Sequence, residues 1–236
     1  MGMDWSAYTA ALFDLDGVIT PTAEVHMRAW SEMFNEFLGD AENPYTDEDY
    51  FLHVDGKPRY DGVRDFLGSR GIALPEGLPT DAPDERTVSG LGNRKNLQFN
   101  TIIDRDGVTP YEGSVRLIHK LIDEGVQMAV VSSSRNAPAV LRAAKLDHHF
   151  PVVVDGNVAA REQLPGKPAP DTYAYAAAQL GVPSNRCVVL EDAISGVESG
   201  AAGDFALVVG VNRGVGAIAL RDAGADIVVD DLEELL

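Results

Sequence analysis

Short apolar runs alternate with amphipathic stretches along most of this chain. YTAALF (8–13) reads as a first strand. EVHMRAWSEMFNEFL (24–38) follows, with His26, Trp30, Met33 and Phe37 on one face of a 3.6-residue period, so it reads as a helix. From residue 111 the alternation is regular. EGSVRLIHKLIDEG predicts a helix ending at Gly125, and VQMAVV a strand. NAPAVLRAAKL predicts a helix with Asn136 as its N-cap, and PVVV a strand. PDTYAYAAAQLG predicts a helix with Pro170 in its first turn and Gly181 as its stop. CVVL, FALVVG and DIVV predict three more strands, separated by helices in AISGVESGAA and VGAIALRDAG. The acidic tail DDLEELL reads as a solvated helix end.

Strands alternating with helices imply a parallel sheet covered on both faces. The near-continuous apolar strands agree, since such strands are buried on both sides. Residues 40–100 break the pattern once. They are polar, rich in Asp, Gly and Pro, and contain no convincing strand. Short helices are expected around 46–53, 60–69 and 84–103. The prediction is an α/β protein: a doubly wound parallel sheet from residues 1–22 and 106–236, with a helical cap inserted at 23–105.

Composition narrows this picture. The chain has 236 residues, 45% of them hydrophobic and 24% charged, as in an ordinary globular protein. That length buries a real core without disulfides or a structural metal. The one cysteine, Cys187, lies in CVVL and reads as a buried strand thiol. A basic n-region, a long apolar h-region and a membrane-length apolar run are all missing. The formal net charge of −18 repels nucleic acid and anionic membranes. The expectation is a cytoplasmic monomer with neither as a partner. The same charge repels phosphorylated substrates unless a site supplies cations locally.

In open α/β sheets, ligands bind outside the carboxyl ends of the strands. Asp14-Leu15-Asp16-Gly17 follows the first predicted strand, Ser132-Ser133-Ser134 follows VQMAVV, and Glu191-Asp192 follows CVVL. Gly166-Lys167-Pro168 lies between the last two. Asp14 and Asp16 repel each other, by about 4 kcal/mol at 4 Å and an effective dielectric of 20. A divalent cation would offset that repulsion. Mg²⁺ prefers oxygen ligands, typically one or two carboxylates with water and phosphate. Asp14 and Asp192 can hold it, with Glu191 near. Ser132 and the amides after it can bind phosphate oxygens. Lys167, held extended by the following proline, can reach the phosphate as a point charge. An aspartate in such a site can attack phosphorus, and a carboxyl two residues on can move the proton.

Asp-x-Asp-Gly-Val, a strand-end Ser, Lys-Pro and Glu-Asp, in that order, resemble the haloacid dehalogenase superfamily of phosphotransferases, over nearly the whole chain. The resemblance implies a Rossmann-like core with Asp14 as nucleophile and Asp16 as acid and base. It implies Mg²⁺ on Asp14, the Asp16 backbone carbonyl and Asp192, assisted by Glu191, and phosphate on Ser132, Ser133 and Lys167. Asp16 argues against the dehalogenase branch, which needs no such acid. FDLDGVITPTAEVHMRAW, SSSRN, GKPAPDTY and LEDAISG look like segments of the β-phosphoglucomutase branch. That likeness implies a small phosphorylated sugar as substrate. It places Thr22 and His26 at the hinge and site entrance, and Arg59 (DGKPRYDG) on a distal phosphate. Lys95 (NRKN) would contact the sugar, and Ser134, Arg135 and Asn136 would line the phosphate side. The implied reaction interconverts β-glucose 1-phosphate and glucose 6-phosphate. A sugar-phosphate phosphatase using the same residues is the alternative, and a catalytically silent binding module a further one.

Pro21 stands where many members of the superfamily carry Asp, and it stiffens the hinge by fixing φ and removing a donor. Ser133 stands where the mutase pattern has Ala. The adjacent His148 and His149 read as loop residues. A second Asp-x-Asp-Gly, at 104–107, follows a helical stretch rather than a strand and reads as the return crossing from cap to core.

Overall fold

The computed structural model describes residues 2–39 and 43–236. They form two compact units, one of Met1–Pro21 with Val108–Leu236 and one of Thr22–Gly107.

The first unit is built on a six-stranded sheet: β1 (Ala10–Phe13), β2 (Gln127–Val131), β3 (Val152–Val154), β4 (Cys187–Glu191), β5 (Leu207–Val211) and β6 (Ile227–Val229). The order is β3-β2-β1-β4-β5-β6, and every pairing is parallel. The chain therefore starts in the middle of the sheet, builds outward to one side and then to the other. That reversal leaves a crevice between β1 and β4 at their carboxyl ends.

Both faces of the central strands are buried. Ala10 and Leu12 of β1, Ala129 and Val131 of β2, and Cys187 and Val189 of β4 pack against Tyr173, Ala176 and Ala177 of a helix over Asp171–Leu180. Their strand neighbours Phe13, Val130 and Leu190 point to the opposite face and are equally inaccessible. Sidedness by period 2 is thus invisible in these runs, which is why they read as continuously apolar.

The second unit is helical: α1 (Thr22–Leu38), α2 (Asp47–Asp49) continuing into a π-helical turn (Tyr50–Val54), α3 (Arg59–Ser69) and α4 (Val88–Asp106). Trp30, Met33 and Phe34 of α1 enter a core with Val63, Phe66 and Leu67 of α3 and Val88 and Leu91 of α4. The Phe34 ring lies 4.2 Å from Phe66 and 5.0 Å from Tyr45. α4 starts at Val88, not at 84, because Thr87 is its N-cap and accepts the Gly90 N–H at 2.9 Å. It runs on to Asp106 and stops at Gly107, whose φ of 71° suits glycine.

The remaining helices belong to the first unit: α5 (Glu112–Asp123), α6 (Ala137–Ala143), α7 (Gly156–Arg161), α8 (Asp171–Leu180), α9 (Ile194–Ala201) and α10 (Ala217–Asp222). Three local expectations need correcting. Asn136 precedes α6, but its side chain makes no capping hydrogen bond. Pro170 is the N-cap residue of α8, not a member of its first turn. The tail is a 3-10 turn, Leu232–Leu235, with Leu232 and Leu235 buried, so it is part of the core rather than a solvated end.

Candidate active site

β1 ends at Phe13, but the ladder reaches one residue further: the Asp14 N–H donates to Leu190 O of β4 at 2.9 Å. Asp14 is therefore presented at the carboxyl ends of two central strands, with its side chain 11% exposed. The chain then turns tightly. Gly17 N–H donates to Thr20 O at 2.7 Å, and Thr20 N–H to Leu15 O at 3.0 Å. Gly17 has φ +88°, and a Cβ there would overlap the Asp192 carboxylate. Only glycine meets both demands.

Lys167 bridges two carboxylates of the site. Its ammonium donates to Asp14 Oδ1 at 2.5 Å, to Val131 O at 3.2 Å and to Glu191 Oε1. Glu191 is fully buried; its Oε1 also accepts from Tyr173 Oη at 3.1 Å, and its Oε2 from the Ala193 N–H at 3.0 Å. A Cβ on Gly196 would overlap this carboxylate, so the close approach of α9 depends on a second glycine. Ser132 Oγ donates to Asp16 Oδ2 at 3.3 Å and accepts the Ser134 N–H at 3.1 Å.

Burial pushes the Asp14 carboxyl well above the usual carboxylate range, with Glu191 and Asp16 adding to the effect; Lys167 pulls the other way. Lys167 is itself desolvated, which disfavours its charge, yet Asp14 and Glu191 together hold it firmly protonated. One ammonium thus serves two buried carboxylates. Asp14, Glu191 and Asp192 each offer a carboxylate oxygen within 4.8 Å of the other two. Such an all-oxygen group with excess negative charge suits a hard divalent cation. The Asp16 carboxylate lies outside this trio and is turned to Ser132.

The family model for haloacid dehalogenase-like hydrolases matches residues 8–204. The chain belongs to that family. It is 46% identical over 238 residues to a β-phosphoglucomutase of Mycobacterium bovis, covering 96% of this chain and 91% of the relative. It is 34% identical to a β-phosphoglucomutase of Bacillus subtilis, covering 96% and 91%. Among solved structures, a β-phosphoglucomutase of Clostridium difficile superposes with a TM-score of 0.79 at 24% identity, over 97% of this chain and 93% of the other, a likeness of fold. This chain is therefore an enzyme of the haloacid dehalogenase superfamily.

Within this haloacid dehalogenase-like hydrolase, Asp14, Asp16, Ser132, Glu191 and Asp192 come together in the first unit at the ends of β1, β2 and β4, joined by Lys167 from the loop between α7 and α8. Ser133, Ser134, Arg135 and Asn136 continue from Ser132 into the start of α6. Ser134 Oγ accepts the Asn136 N–H at 3.2 Å, and Arg135 O accepts from Asn157 Nδ2 at 3.1 Å.

Thr22, His26, Arg59 and Lys95 belong to the second unit. There Lys95 is buried beside His26 Nδ1, with its ammonium 5.0 Å from the Trp30 ring centre and 4.9 Å from that of Phe99. His26 stacks on Phe99 at 4.0 Å, and Arg59 donates to Asn96 Oδ1 at 2.7 Å.

The second Asp-x-Asp-Gly forms no comparable turn. Asp104 and Asp106 are in the last turn of α4, and Asp106 pairs with Arg105 at 2.6 Å. Tyr173 and Gly196 are site residues without a strong sequence signal: Gly196 stands five residues after Glu191, a spacing that a motif search can use, whereas Tyr173 is one of two tyrosines in its helix.

Proposed function

We propose that this enzyme is a phosphotransferase of the β-phosphoglucomutase type, interconverting β-glucose 1-phosphate and glucose 6-phosphate through an aspartyl phosphate. The carrying observation is the buried Asp14 carboxyl at the end of β1, 2.5 Å from Lys167 and within 4.8 Å of the Glu191 and Asp192 oxygens. The 46% identity to a β-phosphoglucomutase supports the choice of substrate class.

In this reading an Asp14 oxygen attacks phosphorus, and the bond from phosphorus to the sugar oxygen breaks. Asp16 gives its proton to the departing oxygen. In the reverse sense a sugar hydroxyl gives its proton to Asp16 and takes the phosphoryl group from Asp14. Alternation of the two steps passes through a sugar bisphosphate. Lys167 and Ser132, with Ser133 and the amides that follow, hold phosphoryl oxygens. Ser134, Arg135 and Asn136 are assigned to that side, and Thr22, His26, Arg59 and Lys95 of the helical unit to the sugar and the distal phosphate. Asp14, Asp192 and the Asp16 carbonyl would hold Mg²⁺, with Glu191 beside them. When bound, Mg²⁺ supplies positive charge that favours ionised Asp14 and offsets charge on the phosphoryl oxygens. The residue assignments and the division into a core of about 1–22 and 106–236 and a cap of 23–105 are part of the proposal. So are the cytoplasmic location, the monomeric state and the absence of nucleic-acid and membrane partners.

The test supplies β-glucose 1-phosphate, Mg²⁺ and a trace of glucose 1,6-bisphosphate, and measures glucose 6-phosphate and free phosphate. Bisphosphate-dependent glucose 6-phosphate is the expected result. Free phosphate in excess points instead to a phosphatase, and no turnover of this or other small phosphates to a silent module. Asp14→Asn abolishes turnover; full activity in that variant overturns the nucleophile assignment.

A further inference from the structure

Four consecutive backbone carbonyls follow Asp16, and each accepts a hydrogen bond from a different donor. Gly17 O takes Arg213 Nε at 3.0 Å, and Val18 O takes Ser114 Oγ at 2.7 Å. Ile19 O takes the Tyr111 N–H at 2.9 Å, and Thr20 O the Gly17 N–H at 2.7 Å. Of these donors, Arg213 alone is a charged side chain, and it comes from beyond β5, nearly two hundred residues away in sequence.

Each nitrogen of the Arg213 guanidinium has a partner. Its second nitrogen donates to Asp230 O at 2.9 Å, and its third lies 3.4 Å from the Asp231 carboxylate. Its Cζ lies 3.9 Å from the centre of the Tyr111 ring. A guanidinium is a rigid planar fork, so fixing two nitrogens and one face fixes the direction of the third N–H. That N–H points at Gly17. Glycine is the residue whose own φ and ψ constrain a peptide least, so the Gly17 carbonyl needs an outside hold. The peptide on its other side joins it to Asp16.

We propose that Arg213 is a positioning residue for phosphoryl transfer. It clamps the Gly17 carbonyl and through it sets the turn that presents Asp14 and Asp16. The inference rests on the phosphoryl-transfer reading for its kinetic consequence, but not for its structural one. Partners that orient metal-ligating residues typically change activity by about 10- to 100-fold when removed, and the same order is expected for a clamp one residue from Asp16. A small misplacement of reacting groups suffices for such a loss.

The experiment compares wild type, Arg213→Ala and Arg213→Lys in four measurements: kcat and KM for a sugar phosphate with Mg²⁺, thermal midpoint, rescue by guanidinium ion, and the amide NMR signals of Asp16 and Gly17. Arg213→Ala is expected to lower kcat by about 10- to 100-fold, with KM nearly unchanged. Added guanidinium restores part of kcat, and sodium chloride at equal ionic strength does not. Arg213→Lys keeps a cation near Asp231 but lacks the Nε donor, so its kcat falls as well while its fold is retained. An unchanged kcat in both variants, or a loss that follows the unfolded fraction and ignores guanidinium, overturns the proposal. If wild type transfers no phosphoryl group at all, the phosphotransferase reading fails and the NMR signals decide the clamp. Shifts at Asp16 and Gly17 in Arg213→Lys support it, and unmoved signals overturn it.

Discussion

Lys167 governs the charge balance of the site. Its side chain is 1% exposed, and so is that of Glu191. Removing one partner of a buried ionic group leaves uncompensated charge inside the protein, which costs about 3–5 kcal/mol. Lys167→Met is therefore expected to lower the urea midpoint by that order of stability, as well as to abolish turnover; an unchanged midpoint refutes the account. The residue was legible in sequence because Lys-Pro stands between two strand-end acidic or hydroxyl clusters. Arg213 was not legible. Nothing in VNRG distinguishes a guanidinium clamped on Gly17 from a solvated surface arginine, because its partners Tyr111, Asp230 and Gly17 are distant in sequence.

At the level of elements, apolar runs and caps located most strands and helices to within a few residues. The failures have physical causes. Helix α7 has no periodic signal in the sequence because GNVAAR carries a single large apolar side chain; Asp155 nucleates it instead by accepting the Asn157 and Val158 N–H groups at 3.0 and 2.8 Å. The tail looked solvated because four of its seven residues are acidic, yet Asp231 forms a capping box that turns Leu232 and Leu235 inward. Leu232 is fully buried, so Leu232→Ala is expected to cost about 2–5 kcal/mol in chemical denaturation. A change near zero would return the tail to the solvent. The second Asp-x-Asp-Gly makes the complementary point: the same four-residue pattern forms a strand-end turn at 14–17 and a helix end at 104–107.

For the molecule as a whole, the excess of acid is the dominant surface property. With a pI near 4.5, solubility should pass through a minimum close to pH 4.5 and rise steeply above it as carboxylates ionise. Light scattering across pH 4–7 checks this; a minimum near neutrality would contradict it. No helix among the described residues is long and apolar enough to cross a membrane. Against this acidic background the proposed phosphoryl transfer calls for local positive charge, and the buried Lys167 beside Asp14 is where the proposal puts it.

The sequence by itself determined the fold class and singled out five strand-end residues and one loop lysine as candidates, because apolar periodicity and the order of Asp-x-Asp-Gly, Ser, Lys-Pro and Glu-Asp are local signals. It also determined that one stretch interrupts the sheet. Only the tertiary structure decided how those residues share charge. The sheet order brings β1 beside both β2 and β4, so Asp14, Ser132 and Glu191 become neighbours although more than a hundred residues separate the first from the others. It also decided which glycines leave room for carboxylates, and which arginine holds the turn between them. Those are properties of contact between distant segments, and contact of that kind leaves no periodicity in the chain.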